Sequence, residues 1–150
     1  NLKDGRCLPL AYAVLFTMPG VPCLYYGSEW GISGEKAPCS DAGLRPALEK
    51  PEWNALTSWI ARLAAARRGS PALREGSYRN VLLTNLQLIF ERRTETERVL
   101  VAVNADSQPY TAHFDAGCGL AWDLISGQQH DFGGGSQLPP YSAFFWKMER

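Results

Sequence analysis

An excess of either charge is missing from this 150-residue chain: 15 Lys and Arg stand against 15 Asp and Glu. No basic stripe is visible, so nucleic acid is not an expected partner. Long apolar runs are missing too. The longest, Ala11 to Met18, is closed by Pro19 and falls far short of the ~20 residues that span a bilayer, so no membrane partner is expected. Cysteine is scarce: Cys7, Cys23, Cys39 and Cys118 form no C-x-x-C pair, which speaks against a disulfide scaffold and a zinc site. Such thiols are expected to be reduced and structural, which points to a cytoplasmic compartment. Histidine is rarer still. His113 and His130 have no second ligand at metal spacing, so neither a metal nor a cofactor is expected. Gly133-Gly134-Gly135 lacks the strand-then-helix context of a phosphate loop and reads as a short flexible link. Residue 1 is Asn, and no charged segment with an apolar core follows it, so the chain is expected to be a processed piece rather than a leader-bearing precursor.

What is present is the material of a globular core, with 45% hydrophobic and 20% charged residues. The pattern changes near residue 70. Before it, apolar spacing is helical. Asp4 to Met18 is apolar nearly all round, as a helix buried on several sides must be, and Pro19-Gly20 stops it. Val21 to Tyr26, bounded by Pro and Gly, reads as a short strand buried on both faces. Ser28 to Pro51 is rich in glycine and proline and reads as a long loop, a kind of segment that is usually functional or disordered. Trp53 to Arg68 reads as a second helix, with Arg67, Arg68 and Gly69 suited to its C-terminal end. After residue 70 the spacing alternates. Leu86 to Glu91, Val99 to Val103, Tyr110 to Phe114, Leu120 to Leu124 and Ser142 to Met148 read as short strands of an antiparallel sandwich, with Arg93 to Glu97 a solvated polar turn. Trp53 and Trp59 are expected in the helix–sheet interface, Trp122 and Trp146 within the β half.

The run Thr17-Met18-Pro19-Gly20-Val21-Pro22, followed by Tyr25-Tyr26-Gly27-Ser28-Glu29, resembles the last helix–strand step of α-amylase superfamily glycoside hydrolases. Asp41 and Arg45 resemble the family's Asp-x-x-x-Arg element. Asn54-Ala55-Leu56, Leu63 and Arg67-Arg68 resemble its final barrel helix, and Ser70-Pro71-Ala72-Leu73 the exit from it. Asp123-Leu124-Ile125-Ser126-Gly127 and Leu138-Pro139-Pro140-Tyr141-Ser142 resemble its C-terminal β-domain. The resemblance implies an α+β fold: residues 1–70 as the incomplete end of a (β/α)8 barrel, two helices and one barrel-type strand, and residues 71–150 as an antiparallel Greek-key β-sandwich. Seven barrel strands would be absent.

Retaining glycosidases use two carboxyl groups, one a nucleophile and one an acid/base. The resemblance places these, and a third essential Asp, on earlier barrel strands, so no catalytic residue is expected in this chain. Asp4 lacks the preceding His of the family's third Asp, and Glu29 matches a glutamate with no catalytic role, expected to organise its loop. Substrate-binding residues remain. Asp41 and Arg45 offer paired acceptors and donors to sugar hydroxyls of an α-glucan oligosaccharide in the intact enzyme, and Trp30 offers a ring to stack on a sugar. The simpler readings are a local Asp–Arg salt bridge and a packing anchor. The expected function is thus the C-terminal part of an α-glucan-acting hydrolase, inactive alone, its β-domain stabilising the barrel. The alternative is a non-catalytic carbohydrate-binding β-module, which would show exposed aromatics along a sheet face. A lone barrel strand exposes unpaired backbone, so a homodimer through Val21–Tyr26 is expected.

Overall fold

The computed structural model describes residues 2, 4–48 and 50–148. Three helices lie against one face of a six-stranded antiparallel sheet, and a two-stranded sheet covers the other face. A short 3₁₀ turn, Gly5–Cys7, leads into α1, Leu8–Thr17. Asp4 caps the turn by accepting from the Arg6 backbone N–H at 2.9 Å. Pro9 stands in the first turn of α1, where its missing N–H costs nothing. Leu10, Tyr12, Ala13, Phe16 and Thr17 are buried on one side of the helix, while Leu8, Pro9, Val14 and Leu15 are half-buried and Ala11 is exposed.

Helix α2, Ala55–Gly69, begins in a capping box: Asn54 Oδ1 accepts from Thr57 N at 3.0 Å, while Thr57 Oγ1 accepts from Asn54 N at 3.4 Å. Ser70 ends α2 and caps α3, Pro71–Glu75, whose Leu73 N–H donates to its hydroxyl at 3.2 Å. The apolar pattern alone merges α3 into the exit from the second helix. Its Ser-Pro start is nonetheless an ordinary helix-opening signal.

The strands follow as β1 Ser77–Leu83, β2 Gln87–Arg93, β3 Arg98–Asn104, β4 Tyr110–Ala112, β5 Leu120–Asp123, β6 Gln129–Asp131, β7 Ser136–Leu138 and β8 Ser142–Met148. The large sheet runs β1-β2-β3-β8-β5-β6, and β4 pairs with β7. Strands β1, β6 and β7 are absent from the alternation. β1 is an edge strand with a bulge between Asn80 and Leu82 and mostly exposed side chains. β6 and β7 are three residues each, too short to alternate visibly. Gly133 to Gly135 form the tight turn between them, with Gly134 and Gly135 at positive φ.

Period-two alternation divides the core. Phe90, Val99, Val101, Val103 and Phe145 face the helices and meet Leu10, Phe16, Leu63 and Leu73. Ile89, Leu100, Ala102 and Trp146 face β4–β7 and meet Ala112 and Leu138. The helix-side core runs without a break across residues 70 and 71. Buried polar groups tie it together. Asp123 accepts from Phe145 N at 2.8 Å and from Ser126 N at 2.9 Å. Asn104 donates to Leu138 O at 3.1 Å and Pro139 O at 3.0 Å, and accepts from Gln87 Nε2 at 2.9 Å.

Two buried arginines hold the C-terminal end of α1. Arg67 donates to Phe16 O at 2.9 Å, Met18 O at 3.1 Å and Gly20 O. Arg92 donates to Thr17 O and to Gly76 O, the latter at 2.8 Å. Phe16 O and Thr17 O are orphan acceptors of the α1 end, where the dipole favours cations. Burial lowers the pKa of both guanidiniums, and the charge of Arg67 adds to the effect on Arg92.

Two expectations are corrected. Val21 to Tyr26 forms no strand: residues 21–25 run without ladder pairing, and Val21 is 93% exposed. A strand acquires its state from its neighbours, and no described strand lies beside this one. Trp53 does not pack at the helix–sheet interface. It is 75% exposed, its indole N–H donating to Ser58 Oγ at 2.8 Å. Trp59 is half-buried against the helix-side core and donates to Pro9 O at 2.9 Å, where α2 meets α1.

Candidate functional site

The sugar-binding candidates lie on the loop that connects α1 to α2. Gly27 and Gly31, at φ 84° and 75°, bracket a 3₁₀ turn over Ser28–Trp30; side chains rarely adopt this backbone conformation. The turn is docked on the start of α2. Thr57 Oγ1 donates to Glu29 O at 3.0 Å, and Asn54 Nδ2 donates to Trp30 O at 3.0 Å. The residues that cap α2 therefore also place Glu29 and Trp30. The Glu29 Oε2 oxygen is buried and accepts no hydrogen bond from the described residues.

Beyond Ile32 the loop folds back on itself. A Cβ at Gly34 would lie 2.4 Å from Gly43 O, and one at Gly43 would lie 2.5 Å from Glu35 O. Only glycine permits this approach. At the tip Ala37 and Ser40 pair through backbone bonds of 3.2 and 3.3 Å. A second 3₁₀ turn, Ala42–Leu44, starts at Asp41, whose carbonyl accepts from Leu44 N at 2.9 Å.

Asp41 and Arg45 thus flank one turn, and both are exposed. Among the described ion pairs Asp41 meets Lys36, at 3.9 Å, and not Arg45. The Arg45 charge instead reaches Tyr26. Loss of solvent, and then a hydrogen bond with Tyr25, raise the Tyr26 phenol above its ordinary pKa, and Arg45 works in the opposite direction. The Tyr25 and Tyr26 rings stand 4.8 Å apart and are 54% and 48% exposed. With Gly27, Ile32, Leu44 and Pro46 they line a hollow of about 240 Å³. Trp30 lines a different hollow, of about 450 Å³, with Ile32, Leu48, Lys50 and Glu52. The Arg45 charge is thus felt at Tyr26, and Trp30 lines a separate hollow that shares Ile32 and Ser33 with the first. Sequence reasoning misses Tyr25, Tyr26 and Lys36 as site residues. Adjacent aromatics ahead of a left-handed glycine are the available sign.

The remaining expectations concern metals, thiols and histidines. No group of three His, Cys, Asp or Glu among the described residues could hold a metal. No helix among them is long and apolar enough to cross a membrane. The four cysteines are free thiols. His130 is half-buried, stacked 4.2 Å from Trp146 and bonded to Ser136 Oγ at 2.9 Å. His113 is exposed.

Comparison with known proteins supplies the context for this loop. No protein-family model matches the chain. It is 31% identical to a cyclomaltodextrin glucanotransferase of Bacillus sp. (strain 38-2) over 135 residues, covering 88% of this chain and 18% of the relative. It is 32% identical to the α-amylase MalA of Haloarcula japonica over 131 residues, covering 79% of this chain and 18% of the relative. The crystal structure of CldA, a cyclomaltodextrin glucanotransferase with a three-domain ABC distribution, superposes with a TM-score of 0.84 at 26% identity, over 99% of this chain and 33% of CldA. The chain thus spans less than a fifth of those two relatives and a third of the matched structure. In sequence and in fold it is the C-terminal part of an α-amylase family glycoside hydrolase.

Proposed function

We propose that the chain is the portion of an α-glucan-acting glycoside hydrolase that carries the end of its barrel and the β-domain bracing it, and that these 150 residues alone do not hydrolyse glucan. The observation that carries this reading is the single core joining α1, α2 and α3 to one face of the β-sheet. It is locked by Arg67 and Arg92 at the end of α1, while the loop after α1 turns its aromatic and apolar side chains outward. Val21, Leu24, Tyr25, Tyr26, Ile32 and Leu44 are all exposed. A β-domain fused to three helices in this way fixes where the loop after α1 stands.

In that enzyme Asp41 and Arg45 bind a glucose unit. A carboxylate accepts from sugar hydroxyls and a guanidinium donates to them, and here the two are not spent on each other. Tyr25 and Tyr26 add an aromatic surface beside Arg45. Trp30 stacks on a more distant part of the glucan. Glu29 is not a catalytic acid in this reading: its backbone carbonyl and its buried Oε2 belong to the docked turn. Hydrolysis of an α-glucan with retention needs two carboxyl groups about 5–5.5 Å apart across the scissile bond. No such pair is assigned to this chain.

The test is reducing-sugar release from maltoheptaose by the purified chain. No turnover is expected. Turnover that persists through purification and disappears in Glu29→Gln would overturn the assignment of Glu29 and the inactivity of the chain.

A further inference from the structure

The loop that carries Asp41 and Arg45 leaves and returns at one place. Its outgoing arm is the 3₁₀ turn Ser28–Trp30, and its returning arm runs through Glu52 to the cap of α2. Both arms line the hollow of Trp30: Trp30 to Ser33 from the first, Ala47, Leu48, Lys50 and Glu52 from the second. Both also meet the first turn of α2. Thr57 Oγ1 stands 3.0 Å from Glu29 O and 3.5 Å from Glu52 O, and Asn54 Nδ2 donates to Trp30 O at 3.0 Å.

Each of these two side chains works in both directions. Asn54 Oδ1 accepts from Thr57 N at 3.0 Å, and this bond to the helix turns the amide nitrogen towards Trp30 O. Thr57 has one hydroxyl proton. It goes to the nearer carbonyl, that of Glu29, while the oxygen accepts from Asn54 N at 3.4 Å. The helix behind them is anchored, since Leu56 and Trp59 pack against the helix-side core. Gly31 follows the turn so closely over α2 that a Cβ there would stand 3.7 Å from a Leu56 methyl. The buried Glu29 Oε2 adds nothing to this hold, because it accepts no hydrogen bond from the described residues. The turn is held by its backbone carbonyls, and the side chains that hold it belong to α2.

We propose that Asn54 and Thr57 are positioning residues for glucan binding: they clamp both arms of the loop to the start of α2 and so set where Trp30 stands. The proposal rests on the reading of Asp41, Arg45 and Trp30 as sugar-binding residues. Capping a helix needs only an acceptor, which Asp supplies as well as Asn. Holding Trp30 O needs a donor besides, and among the strong N-caps Asn alone carries acceptor and donor on separate atoms. Asn54→Asp therefore separates the two tasks. It keeps the cap, removes the donor and sets a carboxylate oxygen against a carbonyl. The helix persists, and the Trp30 side of the hollow loses its place.

The test is NMR of the whole chain, with the urea midpoint of each variant as the measure of global stability. Asn54→Asp is expected to keep the midpoint of the parent, yet to shift the Trp30 indole and backbone signals and to speed amide exchange at Gly31 to Ser33. Thr57→Val should move the same signals, and Thr57→Ser, which keeps the hydroxyl, should restore them. Maltoheptaose, followed at the Trp30 indole signal, should bind Asn54→Asp about fivefold more weakly than the parent, the effect of one hydrogen bond. Trp30 signals that ignore both Asn54→Asp and Thr57→Val overturn the clamp. Signals that move only in step with a fallen midpoint also overturn it, because they mark a cap with no second task. Equal maltoheptaose affinity in Asn54→Asp and the parent overturns the positioning role. A parent chain whose Trp30 signal ignores maltoheptaose up to about 10 mM overturns instead the glucan reading of the loop, a failure visible before any substitution is made.

Discussion

Replacing Arg92 by Met separates two opposed effects at the end of α1. Arg92 is 1% exposed, no carboxylate pairs with it in any described contact, and it donates to Thr17 O, Gly76 O and Ser77 O. Methionine removes a buried charge, and such removal is stabilising where the charge was a net burden. It also strips donors from buried carbonyls, each of which costs about 1–3 kcal/mol when left bare. Thr17 O is the decisive acceptor, since no further turn of helix follows it. Gly76 O is the second, held by two guanidinium nitrogens. Two bare carbonyls amount to about 2–6 kcal/mol, and relief of the charge offsets part of this, leaving a loss of about 2–4 kcal/mol. That is a large share of the roughly 5–15 kcal/mol of a whole domain. Arg92→Lys keeps the charge but reaches only one of the carbonyls, and should fall between the two. Urea unfolding followed by tryptophan fluorescence measures all three chains. An Arg92→Met midpoint equal to or above that of the parent, with an unchanged slope, would refute the helix-end account and show that burying the charge costs more than its hydrogen bonds return.

Further predictions concern backbone space, acid and association. Gly76→Ala should destabilise strongly, because its Cβ would stand 2.4 Å from Ala72 O and 2.9 Å from Arg93 N, all rigid backbone. Gly69→Ala meets nothing within 4 Å and should stabilise by about 0.4–1 kcal/mol; thermal melts of the two variants should move in opposite directions. Acid should loosen the start of the chain from the β half. The Arg6 guanidinium and backbone lower the Asp4 carboxyl to about 2, and Tyr141 donates to it at 3.2 Å. A depressed carboxylate stabilises fully above its ordinary value of 3.8 and ceases to do so as pH falls through about 2. NMR shifts of Tyr141 should therefore titrate in that range and be flat in Asp4→Asn. His130 adds sensitivity at milder acidity: burial lowers its pKa, so the neutral ring stabilises above about 6.5 and that contribution declines below it. Finally, the exposed Val21–Tyr26 segment should make the chain self-associate. Light scattering should show a dimer that Val21→Asp and Leu24→Asp dissociate, and a monomeric parent chain would contradict the proposal.

What can be read from sequence follows where burial is regular. β8 lies where Ser142 to Met148 places it, and β3 extends the Val99–Val103 run by one residue at each end, because both strands are covered on two faces. The helices are legible from their apolar faces and stops. The Val21–Tyr26 run reads as a strand because its composition is that of one, but composition does not supply a neighbour. Trp53 and Trp122, 75% and 45% exposed, are misplaced for a related reason: bulky apolar side chains are assigned to cores by type, whereas exposure depends on what lies opposite. At the candidate site Asp41, Arg45 and Trp30 are legible through a resemblance. The division into two hollows that share Ile32 depends on the return of the loop at Gly34 and Gly43, a contact between residues nine apart that no periodicity encodes.

The central claim is most directly tested in a chimaera that carries this chain in place of the matched segment of the Bacillus sp. (strain 38-2) cyclomaltodextrin glucanotransferase, assayed for glucan transfer. A soluble, cooperatively folding chimaera with measurable transfer, reduced at least about tenfold by the double substitution Asp41→Ala and Arg45→Ala, is predicted. A chimaera that folds as well as the parent enzyme yet transfers no glucan would contradict the account.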